Sequence, residues 1–177
     1  MRGLTPELLS FGVQAELRNE WVSEVGYSAD VSYQGPLYDG RDRAKGKVRI
    51  DINLRQETVA AQRILLTPEY DDLRPFVVTV ITPAQMLAEK VRALLVRGKP
   101  RDVYDIWLLH RQGIVLDGEL AAAKLALYQI TLTNRAIKDA LDKASVDWER
   151  DLRPLLPQFI PWEVVAQGLS FLTNMEQ

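Results

Sequence analysis

The chain has 177 residues, 47% of them hydrophobic and 26% charged, with a net charge of −2, no cysteine and a single histidine, His110. That mix excludes wholesale disorder, a collagen-like repeat and a bare coiled coil, and the length suits one domain, or one with a small helical appendage. Disulfides, cysteine nucleophiles and a zinc centre of nitrogen and sulfur ligands are excluded as well; no apolar run nears the roughly 20 residues of a membrane span, and no N-terminal secretion signal is present, so a cytoplasmic protein is expected.

Thr5-Pro6-Glu7 has the form of a helix start: a hydroxyl cap, a proline at the first helical position and an acid in the first turn. Leu9, Val13, Leu17 and Trp21 then recur every four residues, which predicts one helix running until Gly26. Tyr27, Ala29, Val31 and Tyr33 alternate as in a strand, and the turn pairs Gly35-Pro36 and Asp39-Gly40 make 34–46 a loop. Lys47 to Arg55 is the clearest strand, with Val48, Ile50, Ile52 and Leu54 on one face and Arg49, Asp51, Asn53 and Arg55 on the other. Ala60–Leu66 and Phe76–Ile81 are two further strands, and short connections make the pairing antiparallel.

From Thr82 the pattern turns helical. Thr82-Pro83-Ala84-Gln85 supplies a cap, an N1 proline and a capping-box glutamine, and Gly98 and Pro100 stop the helix after Arg97. Further helices are expected at 101–112, 117–129, 133–144 and 162–174. The order is α+β: a mostly antiparallel sheet part, 1–81, followed by a C-terminal helical bundle, 82–177.

Charge is unevenly spread. Residues 41–55 carry six basic residues against Asp42 and Asp51, a local +4; residues 90–101 carry Lys90, Arg92, Arg97, Lys99 and Arg101 with no acid, a local +5. The remainder holds −11. Together the two segments would form a phosphate-binding surface; apart, they are two solvated faces.

Three positions invite a chemical role. Asp51 is either a metal ligand fixed by its strand or a member of exposed ion pairs with Arg49 and Arg55. Lys90 falls inside the apolar stripe of Met86, Leu87, Val91 and Leu94, so it must snorkel, pair with an acid or face a cleft. Asp102 lies between Ile106 and Leu109 on the next helix, with Asp105 at the stripe's edge; both also oppose the helix dipole. A Lys90 pair with Asp105 or Asp102 follows, either closed and structural or open and awaiting an anion. Repulsion among the basic residues of 90–101 favours the open form. His110 has no partner of a catalytic kind.

Two stretches together resemble the AbiEii-type nucleotidyltransferase toxin family, within the DNA polymerase beta-like nucleotidyltransferase superfamily. The first is Gly35-Pro36-Leu37-Tyr38-Asp39-Gly40-Arg41 followed by Lys47–Arg55. The second, longer and more specific, runs from Thr82 to Leu109 and includes Ala88-Glu89-Lys90, Arg97-Gly98-Lys99-Pro100-Arg101-Asp102 and Tyr104-Asp105. The resemblance implies a truncated nucleotidyltransferase-like sheet and transfer of NMP from an NTP with magnesium held by strand carboxylates. It places Asp51 at a metal carboxylate, Lys90 at the helix lysine that neutralises phosphate and Asp105 at the acid that follows, with Asp102 its neighbour. Arg49, Arg55, Arg97 and Arg101 become candidates for the nucleotide's phosphates. An RNA end, transfer RNA in particular, or a protein is the implied acceptor, and an antitoxin the implied partner.

The family's first motif, Gly-Ser followed by Asp-x-Asp, occurs nowhere in the sequence. The chain is therefore expected to be a fragment, a mis-started frame or a degenerate member, and to transfer little by itself, since a magnesium site needs several oxygen ligands. The alternative is a non-catalytic module that binds RNA or an antitoxin.

Overall fold

A computed structural model describes residues 4–10, 12–55 and 59–173. The elements in chain order are α1 (Leu4–Ser10), β1 (Ala15–Val22), β2 (Gly26–Tyr33), β3 (Gly46–Asn53), β4 (Ala61–Leu66), β5 (Phe76–Ile81), α2 (Pro83–Arg97), α3 (Pro100–Arg111), α4 (Gly118–Ala126), α5 (Asn134–Val146), α6 (Trp148–Leu152), α7 (Trp162–Gln167) and α8 (Ser170–Thr173). The fold is α+β, with antiparallel sheets and a helical bundle. The chain forms two compact units, Met1–Thr58 and Val59–Gln177. Among the described residues no helix is long and apolar enough to cross a membrane.

The first unit is a three-stranded antiparallel sheet in the order β1-β2-β3. The predicted helix over 5–25 is not there: α1 stops at Ser10, and Ala15–Val22 pairs with β2. A spacing of four is also a multiple of two, so Leu9, Val13, Leu17 and Trp21 satisfy a strand's period as well as a helix's. Pairing with β2 decides between them. A bulge between Arg18 and Trp21 shifts the register, with Asn19 in a left-handed conformation at φ 50°, a backbone that asparagine tolerates better than most residues. Gly26, expected to end a helix, begins β2. Tyr33 faces Gly46 across the sheet, and a Cβ there would lie 2.3 Å from the Tyr33 ring.

In the second unit β4 and β5 form an antiparallel hairpin, Ala61 opposite Ile81 and Leu66 opposite Phe76. The helices begin where the sequence places them. Thr82, Asp117 and Thr133 accept from the backbone N–H of Gln85, Leu120 and Ala136, capping α2, α4 and α5. Gly98 closes α2 in the left-handed conformation, φ 60°, and its N–H bonds to the Leu94 carbonyl at 2.8 Å.

The helical core takes Leu87, Ala88, Val91 and Leu94 from α2, Val103, Ile106 and Trp107 from α3, and Ile137, Leu141 and Ala144 from α5. The Trp148 indole donates to the Ile160 carbonyl at 2.9 Å and meets Trp162 edge-on. Two expectations fail here. A short helix, α6, was not foreseen. The helix expected over 162–174 is two, α7 and α8, broken at Gly168, where a Cβ would stand 2.9 Å from the Trp107 ring. The glycine lets the chain pass that buried indole, so helical spacing alone misleads. Residue 174 lies outside the described residues.

Candidate functional site

The side chains predicted to carry chemistry fall in both units, and each unit is described by itself. In the first, the odd-numbered residues of β2 share an apolar face with Val48, Ile50 and Ile52 of β3. The even-numbered ones, Ser28, Asp30 and Ser32, share a polar face with Lys47, Arg49 and Asp51. Asp51 stands opposite Ser28, and its side chain is 65% exposed. Arg49 holds this face together: its Nε donates to both Asp51 oxygens at 3.3 Å and its Nη2 to the Ser28 hydroxyl at 2.9 Å. It also lies 4.0 Å from Asp30. Asp30, whose Oδ2 accepts from Asn19 at 2.7 Å, is a second strand carboxylate that the sequence reading missed. The alternation around it was visible; its register against Arg49 was not. Arg55 follows β3, and its backbone N–H donates to the Asn53 side chain.

In the second unit the site is built on α2 and α3. Lys90 was expected inside the apolar stripe, but the buried face of α2 is centred on Leu87, Ala88, Val91 and Leu94, while Met86 is 37% exposed. The small Ala88 belongs to the buried face, turning the stripe by part of a turn and leaving Lys90 at its margin. There Lys90 Nζ meets Asp105 Oδ2 at 2.5 Å, each side chain about a third exposed. The expectation of an open, unpaired cleft is thus corrected. The repulsion behind it is reduced because carboxylates neutralise Lys90, Arg92 and Arg97.

Asp102 pairs elsewhere. Its carboxylate is fully buried and takes two parallel hydrogen bonds from Arg97, Nε at 2.7 Å and Nη2 at 2.5 Å. Such a fork fixes the guanidinium plane. Arg97 remains 43% exposed, so its outer edge still faces solvent. The hydrogen bonds to Asp102, with the negative charge of Asp105 nearby, hold the Arg97 guanidinium's pKa above its ordinary value.

The third cation, Arg92, donates through Nε to Glu89 Oε2 at 2.7 Å and lies over the Tyr128 ring at 4.6 Å. The other oxygen of Glu89 accepts from Lys124 of α4 at 2.7 Å, and Lys124 is only 5% exposed. Neither Glu89 nor Lys124 was singled out by sequence, since 35 residues separate them. Burial pushes the Glu89 carboxyl up, but the hydrogen bonds from Lys124 and Arg92 outweigh it and hold it below its ordinary 4.5. A carboxyl lowered on folding adds stability that is complete above its unfolded value and lost as pH falls through its folded one. Melting temperature should therefore drop as pH is taken from about 6 to about 3, and part of that drop should vanish in Glu89→Gln.

Lys90, Arg92 and Arg97 converge on a pocket of about 340 Å³ along α2, which Glu89, Ala93 and Val96 also line. Three cations already fixed by carboxylates, around a space of that size, can take the oxygens of a phosphate chain without first being ordered. Arg101 and Lys99 lie outside it and line another pocket. Among the described residues no group of three or more acids or histidines could hold a metal ion, and Glu89, Asp102 and Asp105 are each bound to a cation. His110 stacks on Phe171 at 3.8 Å, a packing role.

A family model described as "Nucleotidyl transferase AbiEii toxin, Type IV TA system" matches residues 5–167. No curated protein matches the chain, and no solved structure does.

Proposed function

Because the chain belongs to the AbiEii nucleotidyl transferase toxin family of type IV toxin–antitoxin systems, we propose that its α2 pocket binds the phosphates of an NTP for transfer of the NMP to an RNA end or a protein. One observation carries this reading: Lys90, Arg92 and Arg97 share a single pocket, each prealigned by its own carboxylate. In that transfer an acceptor hydroxyl attacks the α-phosphorus, a new O–P bond forms, and the bond to the β-phosphate oxygen breaks, releasing pyrophosphate. The charge gathering on the leaving pyrophosphate is what fixed cations stabilise best.

Each residue then has a role. Arg97, clamped by Asp102, presents its outer N–H groups to the phosphates. Lys90 exchanges Asp105 for a phosphate oxygen, and the carboxylate so released can accept the acceptor's proton. Arg92 closes the pocket beside Tyr128. No step is routed through magnesium, whose ligands would have to include carboxylates besides Asp51. The antitoxin is the partner that the family context supplies.

Binding is the first test. Equilibrium dialysis of the full chain against labelled NTPs and the matching monophosphates should show the triphosphates bound at least about tenfold more tightly, the worth of roughly one charged hydrogen bond. Equal affinity for both would sink the reading. Label incorporated into total transfer RNA, or into protein, then names the acceptor. Triphosphate binding without incorporation assigns the chain to the alternative, a binding module.

A further inference from the structure

Of the five basic residues between 90 and 101, three have carboxylate partners and two have not. Lys99 and Arg101 are exposed and make no ion pair or side-chain hydrogen bond among the described residues. Both stand at the start of α3, Lys99 as its N-cap and Arg101 in its first turn. That is the end of a helix where positive charge is disfavoured by the aligned peptide dipoles. Two unneutralised cations there cost stability unless an anion sits between them for part of the protein's cycle.

The space for one exists. Lys99 and Arg101 line a pocket of about 290 Å³ with Asp151 of α6 and Leu155 just beyond it. Leu155 is 66% exposed, an apolar side chain left in water at the pocket wall. Asp151 Oδ1 accepts from Arg150 at 2.9 Å, and its second oxygen can accept a further donor. A ligand matching this set carries an anion, a flat apolar face and a hydroxyl, and the volume lies at the small end of ligand sites.

We propose that this pocket is a second anion subsite, which holds one nucleotide of a single-stranded nucleic acid. Lys99 and Arg101 take the backbone phosphodiester, Leu155 packs on the base, and Asp151 accepts from a sugar hydroxyl. The inference rests on the nucleotidyl-transfer reading for the class of acceptor and deepens it by giving the acceptor strand a place outside the triphosphate pocket.

The test is a fluorescence-anisotropy titration of the full chain with a 5′-fluorescein-labelled single-stranded RNA of six uridines, without NTP or magnesium, over a range of salt. Removing the contacts to this one phosphate should lower the log–log salt slope by about 0.7, the value per neutralised phosphate of a single strand. Lys99→Ala/Arg101→Ala should show that change and bind about tenfold more weakly, while Lys99→Arg/Arg101→Lys retains wild-type binding. Both pairs of substitutions are at exposed positions: the charge-retaining pair should melt like the wild type, and the alanine pair at or slightly above it, since it removes positive charge from the start of α3. An unchanged slope in the alanine variant overturns the subsite, as does equal loss in the charge-retaining variant. An acidic peptide of equal charge that binds as tightly as the RNA overturns the nucleic-acid assignment in favour of a protein segment. Triphosphate binding measured on the same wild-type protein separates the two readings: a normal triphosphate preference with an unchanged RNA slope refutes this subsite alone.

Discussion

Arg97→Met destabilises the helical unit by about 3–5 kcal/mol, the usual cost of leaving one member of a buried ion pair without its partner. The size of the effect follows from which end of the pair is dry. Asp102 is fully buried at the start of α3, whereas Arg97 keeps 43% of its side chain exposed. Loss of the guanidinium strands a carboxylate that cannot reach water. Asp102→Asn, by contrast, leaves an arginine that can swing its head into solvent, so the loss is smaller, about 1–3 kcal/mol. Arg97→Met with Asp102→Leu should recover much of the stability, because replacing both partners by apolar groups removes the desolvation penalty. Urea unfolding of the three variants checks this; equal losses in the two single variants would show that Arg97 is as buried as its partner.

Lys90→Ala should do the reverse, leaving stability within about 1 kcal/mol of wild type while weakening phosphate binding. Lys90 and Asp105 are each about a third exposed, and half-wet ion pairs contribute about 0.2–1 kcal/mol. A thermal double-mutant cycle of Lys90→Met and Asp105→Leu should give a coupling below about 1 kcal/mol. A hydrogen bond to a charged phosphate is worth about 1.5–3 kcal/mol, so triphosphate affinity in Lys90→Ala should fall roughly ten- to a hundredfold. A coupling well above that bound, with triphosphate affinity intact, would make the pair a structural clasp.

The contrast between these two pairs was only half legible beforehand. That α2 and α3 bear opposed charges near their apolar stripes follows from spacing along each helix, which is local. Lys90 and Asp102 both looked like stripe residues, yet the partners are Lys90–Asp105 and Arg97–Asp102. Which charge meets which depends on how the two helices are rotated against each other, and Ala88 and Leu87 at the buried face of α2 set that rotation. Glu89 and Lys124 show the same thing at longer range: no pattern within either helix indicates that a buried lysine of α4 ends on α2.

By itself the sequence determined what depends on neighbours along the chain. The cap at Thr82, the helix starts near 117 and 133, the stop at Gly98, the alternation of β3 and the motif run from Thr82 to Leu109 all rest on contacts or spacings a few residues long. The family is legible for the same reason, because the more specific of the two stretches that resemble it, Thr82 to Leu109, is continuous along the chain, and the family match covers residues 5–167. Only the tertiary structure decided the rest. Leu17 and Trp21 satisfy helix and strand periods alike, and the hydrogen bonds that β2 offers made them strand. The helix pattern over 162–174 is interrupted at Gly168, a position where a Cβ would stand 2.9 Å from the Trp107 ring. Arg92 is neutralised within its own helix by Glu89, three residues before it, but the partners of Lys90 and Arg97 are set by side chains that meet between α2 and α3, where free energy depends on distance in space rather than along the chain.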